Sequence, residues 1–116
     1  MNMRLAIVGS REYSNYDETC EIIDFFAKRF KLTEIVSGGA RGADTLGKRY
    51  AVEHEISYKE FPALWDTYGK RAGFLRNRQI VEYSDMILAF WNGSKGTKNT
   101  IDICKELQKR YYIIKV

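Results

Sequence analysis

Proline and histidine occur once each in the 116 residues, as Pro62 and His54, and cysteine only twice, as Cys20 and Cys104. One proline leaves no proline-rich linker, and no low-complexity or repeated stretch divides the chain, so residues 1–116 are expected to form one domain. Two cysteines without a C-x-x-C pair support neither a disulfide framework nor a zinc site. A single histidine builds no metal cluster, so neither a metal nor a cofactor is expected. No apolar run approaches the roughly 18 residues of a membrane span, and the N-terminus has no apolar signal core. These absences predict a soluble, cytoplasmic protein with no membrane partner.

Charge of one sign is also scarce, but only locally. The formal net charge is +4, yet residues 1–66 carry two more acids than bases and residues 67–116 six more bases than acids. Between Thr67 and Val81 stand Lys70, Arg71, Arg76 and Arg78 and no acid at all. A local positive surface of this kind suits an anionic ligand.

Apolar runs and helical periods alternate along the chain. Leu5-Ala6-Ile7-Val8, Glu34-Ile35-Val36, Tyr58–Phe61, Met86–Trp91 and Tyr111–Val116 read as strands. Between them, Ile23, Phe26, Ala27 and Phe30 repeat at helical spacing, as do Ala43, Leu46, Gly47 and Tyr50. A helix over Ala72–Tyr83 has a less clean face, and Thr100, Ile103, Cys104 and Leu107 mark the last one. The order β-α-β-α-β-α-β-α-β predicts an α/β fold, a five-stranded, mostly parallel sheet covered by helices on both faces. In such sheets ligands bind beyond the carboxyl ends of the strands, where the strand order reverses.

Three segments fall there. Ser37-Gly38-Gly39-Ala40-Arg41-Gly42-Ala43-Asp44 joins a strand to a helix, where free backbone N–H groups and the helix dipole favour a phosphate. The plainer reading is a tight turn with Arg41 solvated or paired to Asp44. Asn92-Gly93-Ser94-Lys95-Gly96-Thr97 opens the last helix in the same way. The third segment runs from Gly69 to Ile80, where Arg76 and Asn77 are the binding candidates. Arg76 and Arg78, two residues apart, cannot share one helix face, so one is expected at the cleft and the other paired or solvated. Upstream, Trp65 and Tyr68 are candidates for stacking on a base. Neither a dinucleotide G-x-G-x-x-G nor a P-loop is present: Gly42 to Lys48 spells G-x-x-x-x-G-K, but Arg49 follows and the stretch lies within a helix.

Together with Gly9-Ser10-Arg11 after the first strand, these segments resemble the SLOG superfamily. That is the Rossmann-like group uniting Smf/DprA DNA-processing proteins with LOG phosphoribohydrolases. Within it the chain is most similar to small stand-alone YspA-type, cpYpsA-related domains. The resemblance implies a three-layer αβα fold, strand order 3-2-1-4-5, homo-oligomeric assembly, and a nucleotide or nucleotide-derived ligand across the strand ends. The binding residues it implies are Gly9, Ser10, Arg11, Ser37, Gly38, Gly39, Arg41, Gly42, Asp44, Arg76, Asn77, Asn92, Gly93, Ser94, Lys95, Gly96 and Thr97.

One departure bears on chemistry. LOG hydrolases carry a P-G-G-x-G-T-x-x-E loop whose glutamate helps break the N-glycosidic bond. Here Thr100 stands in its place, and no carboxylate occurs between Asp85 and Asp102. Asp44 and Glu82 are the candidate catalytic acids, provided that the fold brings them to the cleft. The leading expectation is therefore a sensor or sequestering domain for a nucleotide-derived small molecule. The alternatives are a LOG-like hydrolase and, less favoured, a single-stranded DNA binder of the Smf/DprA kind.

Overall fold

The computed structural model describes residues 2–116. Strand β1 (Asn2–Gly9) is followed by α1 (Tyr16–Ala27), β2 (Lys31–Ser37), α2 (Ala43–Glu53) and β3 (Ser57–Glu60). A four-residue α3 (Trp65–Tyr68) and a 3-10 turn (Gly69–Arg71) lead into α4 (Ala72–Tyr83), β4 (Met86–Trp91), α5 (Lys95–Glu106) and β5 (Arg110–Lys115). The five strands form one sheet, ordered β3-β2-β1-β4-β5, with every neighbouring pair parallel.

Alternation along β1 divides the core. Met3, Leu5 and Ile7 point to one face, where they pack with Ile23 and Phe26 of α1 and Tyr50 and Ala51 of α2. Ala6 and Val8 point to the other and meet Ile80 and Val81 of α4 and Ile101, Ile103 and Cys104 of α5. Two helices on each face cover a sheet whose central strands are apolar on both sides, as a parallel sheet requires. The result is a three-layer, Rossmann-like α/β fold.

Local differences from the sequence reading have simple causes. Helix α1 ends at Ala27, so Phe30 lies beyond it, in the turn whose amide reaches the Phe26 carbonyl at 2.9 Å. Helix α3 is too short to leave a periodic pattern. Helix α5 starts at Lys95, because Ser94 at its cap is already extended and the chain turns at Gly93. No helix among the described residues is long and apolar enough to cross a membrane.

The connections set up the site. From β1 the chain moves to β2 on one side, and from β4 to β5 on the other, so the crevice beyond the carboxyl ends of β1 and β4 is the topological switch point.

Candidate functional site

A cleft of about 560 Å³ lies at that switch point. Gly9, Ser10, Arg11 and Glu12 form one wall, and Asn92 and Ser94 to Thr97 form another. Asp44 and Ala40 reach it from the start of α2; Trp65, Lys70, Phe74, Arg76 and Asn77 reach it from α3, the 3-10 turn and α4.

The two glycine-rich turns behave differently. In the turn between β2 and α2, the amides are used within the protein. Asp44 Oδ2 accepts from Gly38 N at 2.8 Å and from Ala40 N at 3.4 Å. Gly39 N donates to Ser37 Oγ at 3.3 Å, and Ala43 N, in the first turn of α2, donates to the Ser10 carbonyl at 3.1 Å. Ser37 Oγ lies 2.5 Å from the Tyr58 hydroxyl, which donates to Glu60 at 2.9 Å. This network pins the turn and occupies the Gly38, Gly39, Ala40 and Ala43 amides. Arg41 points outward, 74% exposed, with Glu12 at 3.3 Å. Ser37, Gly39, Arg41 and Gly42 therefore lie off the cleft wall, and the tight-turn reading describes this segment better than the phosphate cradle does. Gly38 takes part indirectly, because its carbonyl accepts from Arg76 Nη1 at 2.8 Å.

The turn between β4 and α5 keeps its amides free. Lys98 N is the first in the helix with an acceptor, the Ser94 carbonyl at 3.1 Å. Lys95, Gly96 and Thr97 supply the first three helical N–H groups, which by helix geometry have no partner in the preceding turn and carry the positive end of the dipole. Nothing lies within 4 Å of the position a Cβ would take at Gly96. Around the open space the framework is braced: Asn77 Nδ2 donates to the Gly96 carbonyl at 3.3 Å and to Asn99 Oδ1 at 3.0 Å, and Ser94 Oγ donates to Thr97 Oγ1 at 3.1 Å.

Charge follows the same division. Among the described residues, Arg11, Lys70, Arg76 and Lys95 line the cleft without a carboxylate partner, whereas Arg41, Arg49, Arg78 and Lys98, which do not line it, are ion-paired. The cleft's acids are Glu12, paired with Arg41, and Asp44. Glu82, the other carboxylate expected near the chemistry, lies outside: it pairs with Arg78 at 3.6 Å and borders a separate groove that also contains Tyr68. Gly93 is in the turn but does not line the cavity.

Arg76 and Asp44 form the cleft floor. Arg76 Nε donates to Asn77 Oδ1 at 3.1 Å while Nη1 holds Gly38. Asp44 is 5% exposed. Burial pushes its carboxyl from 3.8 up to about 6, against the opposing pull of the Gly38 amide and the Arg76 charge. A carboxyl raised in the folded state favours folding when protonated, and that contribution is lost as pH rises from about 4 through about 6. Two pH units correspond to on the order of 3 kcal/mol. Urea unfolding of the wild-type protein and Asp44→Asn at pH 4 and pH 7 is expected to show the difference shifting toward the variant by that order. A pH-independent difference would contradict it.

Of the residues lining the cleft, Val8, Glu12, Ala40, Gly73, Phe74 and Ile80 are not among the sequence candidates, Lys70 figures there only as one of four local bases, and Thr100 only as the residue in place of a glutamate. Lys70 and Phe74 lie in the acid-free stretch between Thr67 and Val81, which was the available signal.

Comparison with known proteins gives two matches. The family model described as "YspA, cpYpsA-related SLOG family" matches residues 3–68, from β1 through α3. The Gene 61 protein of Mycobacterium phage D29 is 39% identical over 115 residues, covering 91% of this chain and 89% of that protein. No solved structure matches.

Proposed function

The chain belongs to the YspA, cpYpsA-related SLOG family, and from that membership we propose that it binds a nucleotide or nucleotide-derived metabolite, as a sensor or sequestering domain. One observation carries this reading: the unpartnered first-turn amides of α5 and Arg11, Lys70, Arg76 and Lys95, none with a carboxylate partner, surround one open cleft at the switch point. Amides, dipole and cations are what a phosphate group requires, and no bond-breaking group is needed to hold it.

Native mass spectrometry against nucleoside monophosphates, nucleoside diphosphates and NAD-like compounds tests it. At least one adduct is expected with the wild-type protein. Arg76→Ala should weaken that adduct about ten- to a hundredfold, the worth of a hydrogen bond to a charged partner. Arg41→Ala should change it less than about twofold, because Arg41 does not line the cleft and its guanidinium is paired with Glu12. No adduct across the panel, or equal effects of the two substitutions, would overturn the assignment.

A hydrolytic reading has one observation in its favour: Asp44, in the cleft, titrates near the range useful for proton transfer. Against it, Oδ2 of that carboxylate is committed to two amides, and the α5 turn carries Thr100 where LOG enzymes carry glutamate. Chromatography of the incubated panel separates the two, since release of a free base would favour hydrolysis. A salt series separates both from polynucleotide binding, whose affinity falls steeply with salt.

A further inference from the structure

We infer that Trp65 and Phe74 form a stacking shelf that makes the cleft select ligands bearing a planar heteroaromatic ring. The inference rests on the nucleotide reading and deepens it by naming the residues that recognise the ring. Both side chains line the same cleft as the free amides of α5. Both are large, apolar and left in solvent, Trp65 at 53% and Phe74 at 57% exposure. A tryptophan and a phenylalanine hold much apolar surface, and leaving it wet beside the cleft forgoes the stabilisation its burial would bring.

Local geometry seats the indole. Trp65 opens the short α3, and Gly73 lies in the first turn of α4, one residue before Phe74. A Cβ at Gly73 would stand 3.4 Å from Trp65 Cη2, ordinary van der Waals contact, so the edge of the indole rests against the helix backbone. A supported ring presents a surface to a ligand at lower entropic cost than a free one. Tyr68, though three residues from Trp65 and exposed, is not part of the shelf. The turn at Gly69 sends it to the other groove, beside Leu64 and Leu75.

Stacking tolerates any base because every base has a π-face, whereas a sugar phosphate without a base has none. The test compares ribose 5-phosphate with AMP, GMP, CMP and UMP by calorimetry, on the full-length protein and on Trp65→Ala, Phe74→Ala and Trp65→Phe. Thermal melts verify that each variant is folded. The wild-type protein is expected to prefer at least one nucleotide over ribose 5-phosphate by about tenfold or more. Trp65→Ala should reduce that preference severalfold or more while leaving ribose 5-phosphate affinity unchanged, Phe74→Ala should reduce it in the same direction, and Trp65→Phe should retain most of it. Equal affinity of the wild-type protein for ribose 5-phosphate and all four nucleotides, or an undiminished preference in Trp65→Ala, overturns the shelf and leaves the phosphate site standing. Binding of neither kind of ligand overturns the nucleotide reading and the shelf together.

Discussion

Replacing Gly96 by valine is expected to abolish nucleotide binding while shifting the melting temperature by no more than a few degrees. Gly96 is the second residue of α5, has no positive φ, and a Cβ there meets no protein atom within 4 Å. The substitution therefore creates no clash, and valine is no worse a helix former than glycine. Gly96 lines the cleft with Lys95 and Thr97, and the isopropyl group is expected to occupy the space in front of their amides. A phosphate oxygen must come within about 3 Å of an N–H to be held, and an isopropyl group at that position keeps it away. Losing two charge-assisted hydrogen bonds, each worth roughly 1.5–3 kcal/mol, lowers affinity by more than about a hundredfold. Calorimetry paired with a thermal melt reads both halves. A folded Gly96→Val protein that still binds would remove the α5 turn from the site.

That turn was legible in the sequence for a reason that also explains why the other was not. No carboxylate lies between Asp85 and Asp102, so no local acid is available to occupy the amides opening α5. The β2–α2 turn has three glycines to the other's two, but Asp44 sits in the first turn of α2 and folds back onto Gly38 and Ala40. An acid in a first helical turn is a recognisable capping pattern, and it was the one available sign that this loop satisfies itself. The second device, the Ser10 carbonyl accepting from Ala43, joins residues far apart in sequence, and no local pattern announces it. Arg41 and Arg76 show the same limit. Both are arginines near glycine loops, and only the packing of α4 against Gly38 decides that Arg76 enters the cleft.

The alternation of strands and helices was legible in the apolar runs, but the strand order came from the family resemblance. The structure agrees with it, burying the central β1 and β4 and leaving β3 and β5 exposed at the edges. The aromatic shelf was half accessible. Trp65 and Tyr68 stood out together only as aromatics just upstream of the basic segment, but α3 ends after one turn and the second aromatic of the proposed shelf, Phe74, comes from the next helix.

The largest loss of stability is expected from Gly42→Ala. Gly42 has φ 81° and ψ −132°, a conformation that costs an alanine about 1–3 kcal/mol. An added Cβ would also lie 2.2 Å from the Ser10 carbonyl oxygen and 2.6 Å from Arg11 Cα. These are backbone atoms, so no rotamer change relieves the contact. Ser10 is itself held by its amide to the Phe90 carbonyl at 2.8 Å, so the β1–α1 loop can yield only by breaking bonds to its neighbours. The first to go would be Ala43 N to the Ser10 carbonyl, worth about 1 kcal/mol. Strain, overlap and the lost bond together predict a destabilisation of about 3–5 kcal/mol, a large share of the roughly 5–15 kcal/mol typical of a domain. Gly69 provides the control. Its backbone is nearly the same, φ 60° and ψ −138°, but nothing lies within 4 Å of its Cβ position. Gly69→Ala should therefore show the conformational strain alone, about 1–3 kcal/mol. Urea unfolding of the two variants isolates the steric part: if Gly42→Ala costs no more than Gly69→Ala, the close approach of the β2–α2 turn to Ser10 is not what fixes the cleft's β1 wall.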